Sequence, residues 1–261
     1  MKGIILAGGS GIRLSPLTLP VCKQLLPVYN KPMIYYPLTT LMLAGIRDIL
    51  IITTPHDKPL FERTLGDGKQ WGISIEFAIQ DKPRGIAEGI VIAEKFIGTD
   101  EFAYILGDNI FYGAGLGRTL SKFRNIEGAQ IFAFQVADPE RYGVVELDEE
   151  LNEIISIEEK PTKPKSSYAI AGMYFYSNSA IKIAKELNFS DRGELEITDL
   201  NEIFWKSSRL KVEILHRGTT WLDAGTFSSL HDAASFVKIM EERQDIAIGD
   251  PREAAKIQGW I

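Results

Sequence analysis

Short apolar runs recur along the first half of the chain, at residues 3–7, 49–53, 73–78, 102–106 and 130–136. Each is rich in β-branched or aromatic side chains and almost continuously hydrophobic, the pattern of strands covered on both faces. Between them lie helix-length amphipathic stretches at 36–44, 60–65, 86–96 and 116–124. Strand and helix in alternation predict an α/β fold: a mixed, mostly parallel sheet flanked by helices. The second half changes character. Residues 144–147, 154–158, 169–176 and 210–215 read as antiparallel strands, interrupted by helices at 180–187, 196–206 and 227–242. No Pro/Gly/Ser-rich linker separates the halves, so one continuous domain over 1–261 is expected.

The 261 residues are 45% hydrophobic and 25% charged. That is ordinary globular composition, in a chain long enough to bury a core without staples. A formal charge of −6 argues against a general nucleic-acid binder but leaves local basic pockets open. No stretch is apolar long enough to span a bilayer. Residues 1–7 run straight into glycines, without the form of a signal peptide. A cytoplasmic chain with no membrane partner is expected. Cys22 is the single cysteine, so an intrachain disulfide is excluded. His56, His216 and His231 have no metal-ligand spacing, which argues against a zinc site.

In open α/β sheets, ligands bind beyond the carboxyl ends of the strands. The first strand is followed by Gly8-Gly9-Ser10-Gly11-Ile12-Arg13-Leu14. Such glycines let a backbone turn tightly and present N–H groups to an anion. Leu14 breaks a dinucleotide fingerprint, and no Gly-Lys-Ser/Thr follows to make a P-loop. This is a third kind of glycine loop, or a tight turn with no ligand. Arg13 reads as a loop cation or a surface charge. Lys23 lies in the apolar, proline-bounded stretch 19–27, where a cation must reach water or meet an anion. Cys22 reads as a small buried filler or as a thiol activated by Lys23, and the absence of a histidine nearby in sequence favours the filler.

The fourth strand is followed by Leu106-Gly107-Asp108-Asn109, and Asp223 stands in Trp221-Leu222-Asp223-Ala224-Gly225-Thr226. Two aspartates at turns suit one Mg2+, which takes few carboxylates plus phosphate oxygens. Asp is equally the ordinary turn and cap residue. Glu158-Glu159-Lys160-Pro161 ends a strand, and Arg192-Gly193-Glu194-Leu195-Glu196 enters a helix. The acidic residues suit the helix dipole, whereas Arg192 runs against it. Lys160 and Arg192 make a phosphate clamp if they converge.

Together with Lys31-Pro32-Met33-Ile34-Tyr35-Tyr36-Pro37 and Asp138-Pro139-Glu140-Arg141-Tyr142-Gly143, these motifs resemble the sugar-phosphate nucleotidylyltransferase family along nearly the whole chain. The resemblance implies a Rossmann-like core with an added sugar-binding subdomain. Residues 1–136 would be mainly the nucleotide-binding core, 137–230 mainly the sugar-binding part, and 231–261 a C-terminal helical tail. It implies transfer from dTTP to α-D-glucose 1-phosphate, giving dTDP-glucose and pyrophosphate, by a homo-oligomer (tetramer or dimer). By the family pattern Leu6, Gly8, Gly9, Gly11 and Arg13 would bind the nucleotide, with Gln24 on the deoxyribose and Gln80 with Gly85 on the thymine edge. Arg13, Lys23 and Asp108 would be catalytic, and Asp108 with Asp223 would hold Mg2+. Asn109, Gly143, Glu159 and Trp221 would line the glucose site, and Lys160 and Arg192 would hold its phosphate. The chain departs from the family at Ile12, usually Thr, at Ser15, usually Tyr, and at Cys22, usually Ser. Ile12 removes a hydroxyl from the loop, so weaker nucleotide binding is expected. UTP or another hexose 1-phosphate as substrate, and a non-catalytic nucleotide-sugar-binding regulator, remain alternatives.

Overall fold

The computed structural model describes residues 1–9, 11–150 and 153–261; Ser10 of the glycine loop lies outside the described residues. In chain order its elements begin with β1 (Lys2–Leu6), β2 (Pro27–Val28), β3 (Lys31–Pro32), α1 (Tyr35–Leu43), β4 (Asp48–Thr53), α2 (Lys58–Leu65) and β5 (Ser74–Ile79). Next come α3 (Glu88–Ile92), α4 (Glu94–Ile97), β6 (Phe102–Leu106), β7 (Asn109–Tyr112), α5 (Leu116–Leu120) and β8 (Ala129–Gln135). Then follow β9 (Gly143–Leu147), β10 (Ile154–Glu159), β11 (Tyr168–Tyr176), α6 (Ser179–Glu186) and α7 (Ile197–Lys206). β12 (Leu210–Ile214), β13 (Thr220–Asp223), α8 (Phe227–Gln244) and α9 (Pro251–Ile257) complete the chain.

The chain packs as two compact units. One holds Met1–Pro83, Ala103–Arg124 and Gly218–Ile261; the other holds Arg84–Phe102 and Asn125–Arg217. In the first, β4 lies between β1 and β5, parallel to both, and β6 flanks β1 on its other side. Ile4, Ile5, Ile49, Ile51 and Ile52 are fully buried, as strands covered on both faces require. Beside this sheet, Val28, Met33, Tyr36, Ile110, Ala224, Ala233, Val237 and Ile248 form a core under α8. A capping box starts α8: the Thr226 hydroxyl accepts from the Ser229 N–H at 3.2 Å, and the Ser229 hydroxyl accepts from the Thr226 N–H at 3.0 Å.

In the second unit β8, β9, β10 and β11 are joined by antiparallel pairing. β12 departs from the expectation: it runs parallel to β8, with Leu210 opposite Ala129. Half-buried alternation carries no direction, and the long connection through α6 and α7 makes a parallel return available. The helix expected over 86–96 is two, α3 and α4, divided at Ala93, where ψ is −4°. The helix expected over 116–124 closes at Leu120, and Asn125 beyond it takes a left-handed φ of 63°. Among the described residues no helix is long and apolar enough to cross a membrane.

Candidate active site

Two clusters of polar side chains stand out, one in each unit. The first gathers at the carboxyl end of β1. Ala7 still follows the sheet, its N–H donating to Ile52 at 2.7 Å. Gly8 then leaves room for a buried side chain: a Cβ there would lie 2.7 Å from Gln80 Oε1. Gly11 takes φ 62° and opens the short 3-10 turn Ile12–Leu14 that carries Arg13. Leu14 is fully buried and anchors that turn, while Ile12 is 76% exposed. Ile12 therefore makes no core contact that would explain the departure from Thr. Gly107 closes the floor, since a Cβ there would sit 2.9 Å from the Leu6 carbonyl and 3.0 Å from Gln24 Cγ.

Asp108 sits in the turn between β6 and β7, as expected, whereas Asp223 is the last residue of a strand. Asn109 opens β7 and Asp223 ends β13; the strands pair antiparallel with Asp223 opposite Asn109. The sequence lacks a long alternating run at either place, so this two-stranded ribbon went unread. The ribbon brings Asp108, Asn109, Trp221 and Asp223 together. Trp221 Nε1 donates to Asn109 Oδ1 at 2.6 Å, and Asn109 Nδ2 donates to Asp108 Oδ1 at 2.9 Å. Lys23 forms an ion pair with the other Asp108 oxygen. Burial alone would raise the Asp108 pKa, but Lys23 and hydrogen bonds hold it below the usual carboxylate range. Burial alone would lower Lys23, but Asp108 and then Asp223 keep its pKa raised. A Cβ on Gly225 would meet the Arg13 guanidinium at 2.8 Å and Asp223 Oδ1 at 2.9 Å, so both side chains crowd this one glycine. Sequence reasoning assigned Gly225 no role.

Two hard carboxylates beside two cations fit a small divalent ion that completes its shell with water and phosphate oxygens. Among the described residues no group of three His, Cys, Asp or Glu side chains could hold a metal. Cys22 is buried, and its thiol donates to Gln24 Oε1 at 2.7 Å. Burial pushes its pKa up to about 12. The filler thus has a second task, fixing the orientation of the buried Gln24 amide.

The second cluster gathers Gly143, Glu159, Lys160 and Arg192. Lys160 Nζ and the Arg192 guanidinium reach the same oxygen, Glu159 Oε1, at 3.4 and 3.2 Å. Thr198, in the first turn of α7, donates to Glu159 Oε2. A Cβ on Gly143 would lie 3.2 Å from the Thr198 hydroxyl and 3.4 Å from Glu159 Oε2. Glu196 grips Arg192 at both ends, Nε at 3.2 Å and a terminal nitrogen at 2.8 Å, and takes the Ser190 hydroxyl at 2.7 Å. Burial would lower the Arg192 pKa, yet Glu196, Glu159 and Glu194 raise it. The helix-dipole argument accounted for Glu196 without its partner, and Thr198 and Ser190 gave no signal. Gly85 is in this unit too, at φ 104°, where a Cβ would lie 2.4 Å from the Leu195 backbone. The Leu195 N–H donates to Arg84, and its carbonyl accepts from Ala87. Asn109 and Trp221, the other residues expected at the glucose site, belong to the unit that holds Asp108.

A family described as nucleotidyl transferase matches residues 2–239. Glucose-1-phosphate thymidylyltransferase of Mycobacterium tuberculosis is 58% identical over all of this chain and 90% of its own length. That of Neisseria meningitidis is 55% identical over all of this chain and 91% of its own. A crystal structure from Bacillus anthracis, described as a putative glucose-1-phosphate thymidylyltransferase in complex with a sucrose, is 41% identical. It superposes with a TM-score of 0.86 over 97% of this chain and 99% of that one. A UDP-glucose pyrophosphorylase complexed with UDP-glucose shares the fold, with a TM-score of 0.80 at 24% identity over 92% of this chain and 98% of that one.

Proposed function

The chain belongs to the nucleotidyl transferase family, and from that premise we propose that it joins dTTP to α-D-glucose 1-phosphate, giving dTDP-glucose and pyrophosphate. It is an enzyme, a nucleotidyltransferase. The observation that carries the assignment of roles is the crowding of Arg13, Lys23, Asp108 and Asp223 beside the glycine loop. Arg13 and the N–H groups of Gly8, Gly9 and Gly11 hold the triphosphate, and Lys23 contacts the reacting phosphates. Leu6 lies under the nucleotide, Gln24 meets the deoxyribose, and Gln80 with Gly85 reads the base edge. Lys160 and Arg192 take the sugar phosphate; Gly143, Glu159, Asn109 and Trp221 meet the glucose.

The attacking phosphate oxygen is already an anion at neutral pH, so the chemistry needs neither a base nor a protein nucleophile. The obstacle is the repulsion between two anions, which Arg13, Lys23, Lys160 and Arg192 lower while aligning an in-line attack on the α-phosphorus. Each contact aimed at developing charge contributes about 3 kcal/mol by comparison with other preorganised donors. Asp108 and Asp223 would hold Mg2+, which when bound neutralises charge on phosphate oxygens. The Lys23–Asp108 pair keeps that carboxylate ionised and ready. Along the chain we read mainly nucleotide work in 1–136, mainly sugar work in 137–230 and a helical tail in 231–261; these bounds differ from those of the two compact units, which group 84–102 and 125–136 with the second and 218–230 with the first. We further infer a cytoplasmic homo-oligomer.

Uracil presents the same hydrogen-bonding edge as thymine and lacks one methyl, a difference of roughly 1 kcal/mol. Pyrophosphate release from dTTP or UTP with glucose 1-phosphate, with and without Mg2+, tests the reading. Release that is fastest with dTTP and dependent on Mg2+ is expected. No release with either nucleotide would overturn catalysis in favour of a binding protein.

A further inference from the structure

Glu159 stands where an anion is wanted. Its Oε1 alone receives both Lys160 and Arg192, the arrangement a phosphate oxygen would adopt between them. Lys160 holds this pose from a left-handed φ of 43°, a conformation that a lysine keeps only when its surroundings impose it. Its N–H is tied to the Tyr142 carbonyl at 3.0 Å. Arg192 has a second, firmer hold in Glu196, which is bidentate and 8% exposed at its side chain, against 24% for Glu159. Of the two carboxylates, Glu159 is the one an incoming anion can displace. The cluster is also overdrawn in charge. Among the described residues the ion pairs here set Glu159, Glu194 and Glu196 against Lys160 and Arg192, three negative charges to two positive, so a bare anion meets a net negative cluster.

Resting on the sugar-phosphate reading above, we propose that Glu159 is a resident anion. It occupies the phosphate-binding cations of the free enzyme and yields them to a phosphate ester whose hydroxyls re-satisfy its carboxylate. A half-buried carboxylate stripped of two cations is costly unless donors replace them. Sugar hydroxyls are several such donors, whereas inorganic phosphate turns its charged oxygens to the cations and has at most its P–OH groups to offer, leaving Glu159 with little beyond Thr198. Glu159 is therefore a specificity-determining residue that filters sugar phosphates from free phosphate.

Calorimetric titration of the whole protein with inorganic phosphate and with glucose 1-phosphate tests this. Glu159→Gln should bind inorganic phosphate about threefold to tenfold more tightly than the parent, the scale of one or two partly exposed ion pairs released. The same variant should bind glucose 1-phosphate more weakly. Adding Lys160→Met should abolish the gain for phosphate; a gain that survives means phosphate binds elsewhere, and the proposal fails. Unchanged or weaker phosphate binding in Glu159→Gln overturns it outright. If that variant does not fold, Glu159→Asp keeps the charge on a shorter arm and should give a smaller gain of the same sign; no gain there is equally fatal. Glucose 1-phosphate binding that is indifferent to Arg192→Ala would instead overturn the sugar-phosphate reading beneath it.

Discussion

Asp223 faces Asn109 across the antiparallel pairing of β7 with β13, and the Ala224 N–H next to it donates to the Asp108 carbonyl at 3.0 Å. Backbone pairing thus fixes two carboxylates that the sequence separates widely. If they hold one ion, Asp108→Asn and Asp223→Asn should each lower the rate by at least about two orders of magnitude, the size seen when preorganised charge is lost. The double variant should lose little more than the worse single one, because the pair acts as a unit. Steady-state rates over a Mg2+ titration check this; strictly additive losses would assign the two aspartates separate tasks.

Cys22 makes a prediction about pH. Burial pushes the thiol up to about 12, above the value near 8.5 of an unfolded cysteine. A raised folded pKa gives stability that is complete below about pH 8.5 and lost as pH climbs toward 12, where only the unfolded chain gains by ionising. Native protein should resist iodoacetamide at pH 8.5, while protein in denaturant reacts readily. Cys22→Ser keeps a donor for Gln24 Oε1 and should retain nucleotide affinity. Cys22→Ala loses that donor and should raise the nucleotide KM about fivefold, the worth of one neutral hydrogen bond.

Gln80 offers one donor and one acceptor to the edge that thymine and uracil share. Gln80→Glu, with a carboxylate where the amide lies beside Gly8, should impair dTTP and UTP alike. Competition binding with both nucleotides decides it, and damage confined to dTTP would remove Gln80 from base reading.

Arg192→Ala removes a cation held by Glu159 and Glu196. Loss of one charged hydrogen bond costs roughly 1.5–3 kcal/mol, so the KM for glucose 1-phosphate should rise about tenfold to a hundredfold. The KM for dTTP should stay near its parent value, and an equal rise in both would contradict a sugar-phosphate role.

Thr226→Ala deletes the capping box of α8 and should lower stability by about 1 kcal/mol with little effect on turnover. Thermal denaturation measures the shift.

The order of strands and helices was legible in the sequence because apolar alternation at period 2 or 3.6 is a local property. Ile4, Ile5 and Ile49 announce buried strands wherever the chain goes. The glycine loop and the motifs around Asp108, Lys160 and Arg192 were legible for a related reason: backbone turns and charges placed after strands are written in consecutive residues. Tertiary structure alone decided what depends on residues far apart. It joined Asn109 and Asp223 in one ribbon beside the Asp108 turn, paired Lys23 with Asp108, and set β12 parallel to β8. It also laid both Lys160 and Arg192 on one oxygen of Glu159. Such pairings are chosen by the closing of long loops around a shared core, whose energy is spread over many contacts and is written in no single stretch of the chain.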